Sequence, residues 1–272
     1  MNKMIEENEA LNIEISKIAV VAGYLWQRGW AEYNGGNISV RVSEALSEEE
    51  IKTTAIGPRV ELPAVMSHLC GEVFYVTGTG KRMRYVASSP WDNGSLIRIS
   101  DDGSYYEIIY KNPIRPTSEL PSHLSMHNYL RSIGRDSRVV LHTHPTDLIA
   151  LTHSAHWLDS ENITHMLWSM IPECRIIVPR GVGIVPYRVP GTMELAASTI
   201  EQLTTHDVVF WEKHGILATG ADVVDCFDVI DTLSKSAQIY LTARTAGFVP
   251  EGMTCEQLDE LVPAFHLEKY QM

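Results

Sequence analysis

The stretch Ser95-Leu96-Ile97-Arg98-Ile99-Ser100-Asp101-Asp102-Gly103-Ser104-Tyr105-Tyr106-Glu107-Ile108-Ile109-Tyr110 carries the clearest fold signal in the chain. Two runs rich in β-branched and aromatic residues flank an Asp-Asp-Gly turn, which is the composition of a β-hairpin. A sheet with antiparallel pairs follows. Toward the N-terminus, Val73 to Val76 reads as a short strand entering Thr77-Gly78-Thr79-Gly80. Further back, Ile38, Val40 and Val42 alternate with polar neighbours after the turn Asn34-Gly35-Gly36-Asn37. Toward the C-terminus, strands are expected at 138–144, 175–178 and 208–211, with another at 216–218 beyond Gly215. Helices are expected over 10–30, 119–133, 146–158, 192–205 and 222–245; the first places Leu11, Ile15, Ile18, Val21, Leu25 and Trp26 at helical spacing. The proline-containing stretch from Ser43 to Cys70 shows no readable period. Strands and helices interleave to the end without an internal repeat or a long linker, so residues 1–272 read as one α/β domain.

Composition narrows the function. With 44% hydrophobic and 21% charged residues the chain is ordinary for a globular protein. Its formal net charge of -12, with no long run of lysine and arginine, argues against nucleic acid or an anionic membrane as a partner. Cys70, Cys174, Cys226 and Cys255 are scattered and form no Cys-x-x-Cys pair, so neither a disulfide framework nor a thiolate zinc site is expected. The apolar stretch from Ile18 to Trp26 is too short to span a bilayer, and the acidic residues before it are wrong for a signal peptide. A cytoplasmic protein is the expectation.

The sharpest chemical signal is Val139-Val140-Leu141-His142-Thr143-His144-Pro145. Side chains two apart on a strand share a face, so both imidazoles can reach one ion, and the proline ends the ladder where a site can open. Spacing alone is equally compatible with a structural polar pair. His214, in Trp211-Glu212-Lys213-His214-Gly215, would complete the three-ligand open site that a catalytic zinc needs. Pro116-Thr117-Ser118-Glu119-Leu120-Pro121 opens a helix, with Thr117 or Ser118 as its cap and Pro121 in the first turn. Glu119 there either complements the helix dipole or transfers a proton. The helix start and the turns at 34–37 and 77–80 offer backbone N–H groups and hydroxyls that together could cradle a phosphate.

As an ordered set these motifs, with Gly181-Val182-Gly183-Ile184, Val189-Pro190-Gly191-Thr192 and His214-Gly215, resemble the class II aldolase and adducin-head family over nearly the whole chain. The resemblance implies a mainly antiparallel central sheet sandwiched by helices, assembled as a homotetramer with active sites near subunit interfaces. It implies a zinc-dependent aldolase acting on a phosphorylated ketose, with one Zn2+ per subunit on His142, His144 and His214 and with Glu119 as the catalytic carboxylate. Asn34, Gly36, Asn37, Thr79, Thr117 and Ser118 would surround the phosphate. Glu173 would match a carboxylate that some members lend to a neighbouring subunit's site. Within the same family, other ketose-phosphate aldolases, a 4-epimerase and the non-catalytic adducin-type interaction module are the alternatives. A Schiff-base aldolase using Lys213 and an unrelated zinc hydrolase are weaker rivals.

Overall fold

The computed structural model describes residues 2–267. Its framework is a nine-stranded sheet in the order β2-β5-β4-β3-β1-β6-β9-β8-β7. The strands are β1 (Asn37–Arg41), β2 (Val60–Glu61), β3 (Val73–Thr77), β4 (Gly94–Ile99), β5 (Tyr105–Tyr110), β6 (Val139–Thr143), β7 (Gly183–Val185), β8 (Val208–Trp211) and β9 (Gly215–Gly220). Only the pairing of β7 with β8 is parallel, and every other neighbour runs antiparallel. The hairpin expected at residues 95–110 is the pair β4–β5, with Arg98 opposite Glu107 and bonded to it at 2.7 Å.

Helices cover both faces, and strand alternation decides which side chains meet which helices. On one face Ile38, Val40, Val73, Tyr75, Val139, Leu141, Ile216 and Ala218 pack with residues of the Glu9–Gln27, Ser160–Met170 and Val223–Thr245 helices. On the other, Phe74 and Val76 join Leu120 and Leu124, while Val140, Val209 and Leu217 join Met126, Leu130, Leu195 and Leu203. That second face therefore carries the Leu120–Ser132 and Met193–Leu203 helices. β1 is the exception there, since it turns Asn37, Ser39 and Arg41 toward the Leu120–Ser132 helix.

The structure corrects some of the expected elements. Residues 175–178 are not a strand: Pro172 opens a helix, Pro172–Ile177, in which Arg175 is buried with its guanidinium 4.2 Å over the Trp168 ring. A proline at the first helical position, with its fixed φ, outweighs the β-branched Ile-Ile-Val run. The strand beside β8 is Gly183–Val185 instead. The helix expected over 146–158 stops at Leu151, because the Thr152 hydroxyl donates to the Ile149 carbonyl and accepts the Lys213 N–H at 2.8 Å. The Leu120–Ser132 helix is capped by Glu119, not by Thr117 or Ser118, and the Glu119 side chain makes no capping bond. The stretch 43–70 holds a 3-10 turn, Ser43–Ala45, a helical turn, Glu48–Ile51, closed by a Ser47–Glu50 capping box, and β2.

Two fully buried histidines sit between β1 and the Leu120–Ser132 helix, both hydrogen-bonded to Ser39 Oγ, His123 at 2.8 Å and His127 at 2.9 Å. Burial holds His123 down to about 3, from 6.5, and pushes His127 well below its ordinary value, with the charges of His123 and Arg41 adding to it. In the unfolded chain both take up protons below about pH 6.5 while the native state resists, so stability is complete above that pH and lost as pH falls. Each contributes a slope of up to about 1.4 kcal/mol per pH unit. Melting temperatures of metal-free protein should therefore decline steadily between pH 6.5 and 5; a flat profile by calorimetry would contradict the buried neutral pair.

Candidate active site

The three central strands bring their ends together on one side of the sheet. Register places Asn37 of β1 opposite His142 of β6, and His142 opposite Leu217 of β9. His144 lies one residue past β6, where its N–H donates to the Trp30 carbonyl at 2.9 Å. His214 sits in the β8–β9 turn, whose residue Lys213 adopts φ 59°. The Trp211 indole packs against both rings, with centroids 4.4 Å from His142 and 5.2 Å from His214, and is itself anchored through Nε1 to Thr199 at 2.9 Å. The result is one group of three imidazoles whose available nitrogens lie within 4.8 Å of one another, the only set of its kind among the described residues.

Hydrogen bonding decides how these rings can bind. His142 Nδ1 faces the Ile216 carbonyl at 2.9 Å, and His144 Nδ1 faces the Glu32 carboxylate at 2.7 Å. Both partners only accept, so both Nδ1 atoms carry the proton and both Nε2 atoms are free to donate a lone pair. Those two Nε2 atoms are 3.1 Å apart. Two lone pairs at that distance repel unless a cation lies against them, and a proton or a metal ion is the choice. His214 Nδ1 is buried with no hydrogen-bond partner, which favours the metal. Burial foremost, then the neighbouring rings, pushes His142 well below 6.5, and burial holds His214 down to about 4. Neutral imidazole is the ligand form, so the donor set fits a divalent ion with open positions.

Two glycines make room for the rings. A Cβ on Gly215 would lie 2.5 Å from the Thr143 carbonyl and 2.9 Å from carbons of both His142 and His144. A Cβ on Gly35 would stand 2.9 Å from His144 Nδ1.

The trio forms one wall of a cleft of about 310 Å³, which is also lined by Asn34, Gly36, Asn37, Thr79, Thr117, Ser118 and Glu119. The sequence-predicted residues are thus brought together, except Glu173. Glu173 is exposed in the first turn of the Pro172–Ile177 helix and does not line this cleft. The two turns that border Glu119 are stitched to each other, with Thr117 N–H on the Thr77 carbonyl and Thr79 N–H on the Arg115 carbonyl, both at 2.9 Å. Asn37 Nδ2 donates to the Glu119 carboxylate at 2.7 Å. Lys213 is half-exposed and paired with Glu212 at 2.9 Å, outside the cleft, so it is a poor Schiff-base amine. Sequence reasoning assigned no role to Glu32, which lies 112 residues from its partner His144 and carries no spacing signal.

A sheet of this order with a histidine trio at its central strand ends defines an α/β protein with a candidate metal centre. The pattern of the Class II Aldolase and Adducin N-terminal domain family matches residues 16–241, and the chain belongs to that family. It is 48% identical over 269 residues to the rhamnulose-1-phosphate aldolase of Bacteroides thetaiotaomicron, covering 99% of this chain and 100% of that protein. It is 38% identical over 246 residues to the rhamnulose-1-phosphate aldolase of Listeria welshimeri, covering 89% and 88% of the two chains. Among solved structures, a sugar-phosphate aldolase from Thermotoga maritima superposes with TM-score 0.74 at 30% identity, over 89% of this chain and 99% of that one.

Removing the carboxylate behind His144 should weaken metal binding without unfolding the protein. Glu32→Ala is expected to lower metal affinity roughly 10- to 100-fold, as loss of an orienting partner does elsewhere. Competition with a chromophoric chelator measures it; unchanged affinity would show that Glu32 does not orient the ring.

Proposed function

We propose that the chain is a zinc-dependent aldolase that cleaves L-rhamnulose 1-phosphate reversibly to dihydroxyacetone phosphate and L-lactaldehyde, in the breakdown of L-rhamnose. In this reading residues 1–272 act as one catalytic domain, in the cytoplasm, as a homotetramer. The observation that carries it is a single cleft lined by three clustered imidazoles, by the Glu119 carboxylate and by two turns rich in backbone N–H groups and hydroxyls. The identity to rhamnulose-1-phosphate aldolases over nearly the whole chain favours this sugar. The fuculose 1-phosphate aldolase structures are only 14% to 20% identical and speak for the fold alone.

His142, His144 and His214 would hold the zinc, which supplies a Lewis acid for the negative charge left on the ketose fragment as the C3–C4 bond breaks. Asn34, Gly36, Asn37, Thr79, Thr117 and Ser118 would border the phosphate. Local N–H dipoles and hydroxyls hold an anion there even though the net charge is -12. Glu119 would hold and return the proton at C3. Its carboxylate is free for this because it caps no backbone N–H of its own helix. The C4 hydroxyl must lose its proton in the same step. Glu173 would assist there from a neighbouring subunit, since within its own chain it lies outside the cleft.

The test is release of dihydroxyacetone phosphate from L-rhamnulose 1-phosphate, with L-fuculose 1-phosphate in parallel, before and after chelation and zinc restoration. Preference for the rhamnulose substrate with recovery on zinc is expected. Preference for the other sugar would change the substrate and keep the site, and cleavage that survives chelation would overturn the reading. Glu119→Gln should keep its zinc and lose about 10²- to 10⁴-fold in kcat, the usual worth of a positioned acid–base group.

A further inference from the structure

A polar seam runs beneath the cleft, between β1 and the Leu120–Ser132 helix, on a sheet face that Phe74, Val76, Val140, Val209 and Leu217 otherwise make largely apolar. Strand residues two apart and helix residues four apart share a face, and here the two periods mesh. Asn37 bonds Glu119 at 2.7 Å, and Ser39 bonds His123 at 2.8 Å and His127 at 2.9 Å. Both histidines, Ser39 and Asn37 are buried. Asn37 Oδ1 and His123 Nε2 have no hydrogen-bond partner although buried, so the seam is not merely an arrangement in which every polar group is satisfied.

Apolar contact would bind this helix to the sheet without fixing its position along the strand. A serine gripping two imidazoles is selective: slipping the helix by one turn would leave Ser39 and a histidine unpaired in the interior, which is costly. The register so fixed sets where Glu119, at the helix start, stands relative to His142, which β1 pairs directly with Asn37. Asn37 then orients the carboxylate itself.

We propose that this seam, Asn37 on Glu119 and Ser39 on His123 and His127, is the device that positions the Glu119 carboxylate for proton transfer. The inference rests on the role given to Glu119 above. It gives the Asn37 amide a duty beyond bordering the phosphate, because one of its two N–H groups is committed to the carboxylate. Ser39, His123 and His127 are positioning residues, outside the cleft lining and without contact to substrate.

Kinetics of zinc-loaded full-length variants test it. Ser39→Ala should lower kcat roughly tenfold, a modest share of what misplacement of a reacting group can cost, with KM and zinc content unchanged. Ser39→Thr, which restores the hydroxyl, should recover most of the loss. Unchanged kcat in Ser39→Ala, or kcat, KM and zinc content falling together without rescue, would overturn the proposal. If Ser39→Ala does not fold, Asn37→Asp decides. A second carboxylate facing Glu119 disfavours its ionised form, so the acid limb of the kcat–pH profile should move to higher pH. An unmoved limb with a raised KM would make Asn37 a phosphate ligand and end the proposal. Should Glu119→Gln prove fully active, the reading of Glu119 fails instead, whatever the seam variants do.

Discussion

Two imidazole nitrogens 3.1 Å apart, each with its other nitrogen already committed, impose a constraint on everything around them. Such a pair is stable only against a cation, and it must be held there by parts that do not yield. β6 supplies this rigidity because it lies between β1 and β9 with both faces buried. Gly215 and Gly35 leave space for rings that a methyl group would displace. The Trp211 indole, fixed through Thr199, backs His142 and His214. Even the early end of the Thr146–Leu151 helix serves this centre, since the Thr152 hydroxyl holds the N–H of Lys213, the residue that turns the chain into His214.

The same sheet face does two kinds of work. Around β3, β8 and β9 it is a conventional apolar layer that secures the helices through burial. Along β1 that burial is given up for Asn37, Ser39 and Arg41, and the seam ends at Glu72, which Arg41 and Arg131 approach at 3.5 Å and 2.8 Å. Polar contacts of this sort add little net stability, but they discriminate strongly between registers. A helix that merely had to cover the sheet would not need them, whereas a helix that carries a cleft-lining carboxylate at its N-cap gains from a fixed register.

Much of this was legible in the sequence, for physical reasons that differ from element to element. Alternation betrayed β1 because one face of that strand is polar, and the Asp-Asp-Gly turn betrayed β4–β5. His142 and His144 could be paired in advance since strand geometry links residues two apart. His214, 70 residues further on, was only a candidate until the resemblance gathered the motifs. The 175–178 run misled because β-branched composition says nothing of a proline a few residues earlier that starts a helix. Glu32 was invisible because its meaning lies in a contact across the fold. The seam was half visible: Ile38 and Val40 announced a strand with polar neighbours, and nothing local said that those neighbours meet His123 and His127.

The choice between an enzyme and a non-catalytic interaction module of the same family turns on energetic cost. Burying imidazoles with facing lone pairs, leaving His214 Nδ1 and Asn37 Oδ1 without partners, and holding Tyr33 at φ 49° beside the cleft all work against stability. An interaction surface gains nothing from these features, and replacing buried polar clusters by apolar residues is often neutral or stabilising. They are concentrated instead around one cleft, which the histidine trio and the Glu119 carboxylate both line. Local departures from good packing that converge on one small volume are what a site built for chemistry requires. Binding alone would not need the Glu119 carboxylate to leave its own helix start unbonded and to take an amide N–H from Asn37, the strand residue paired with His142.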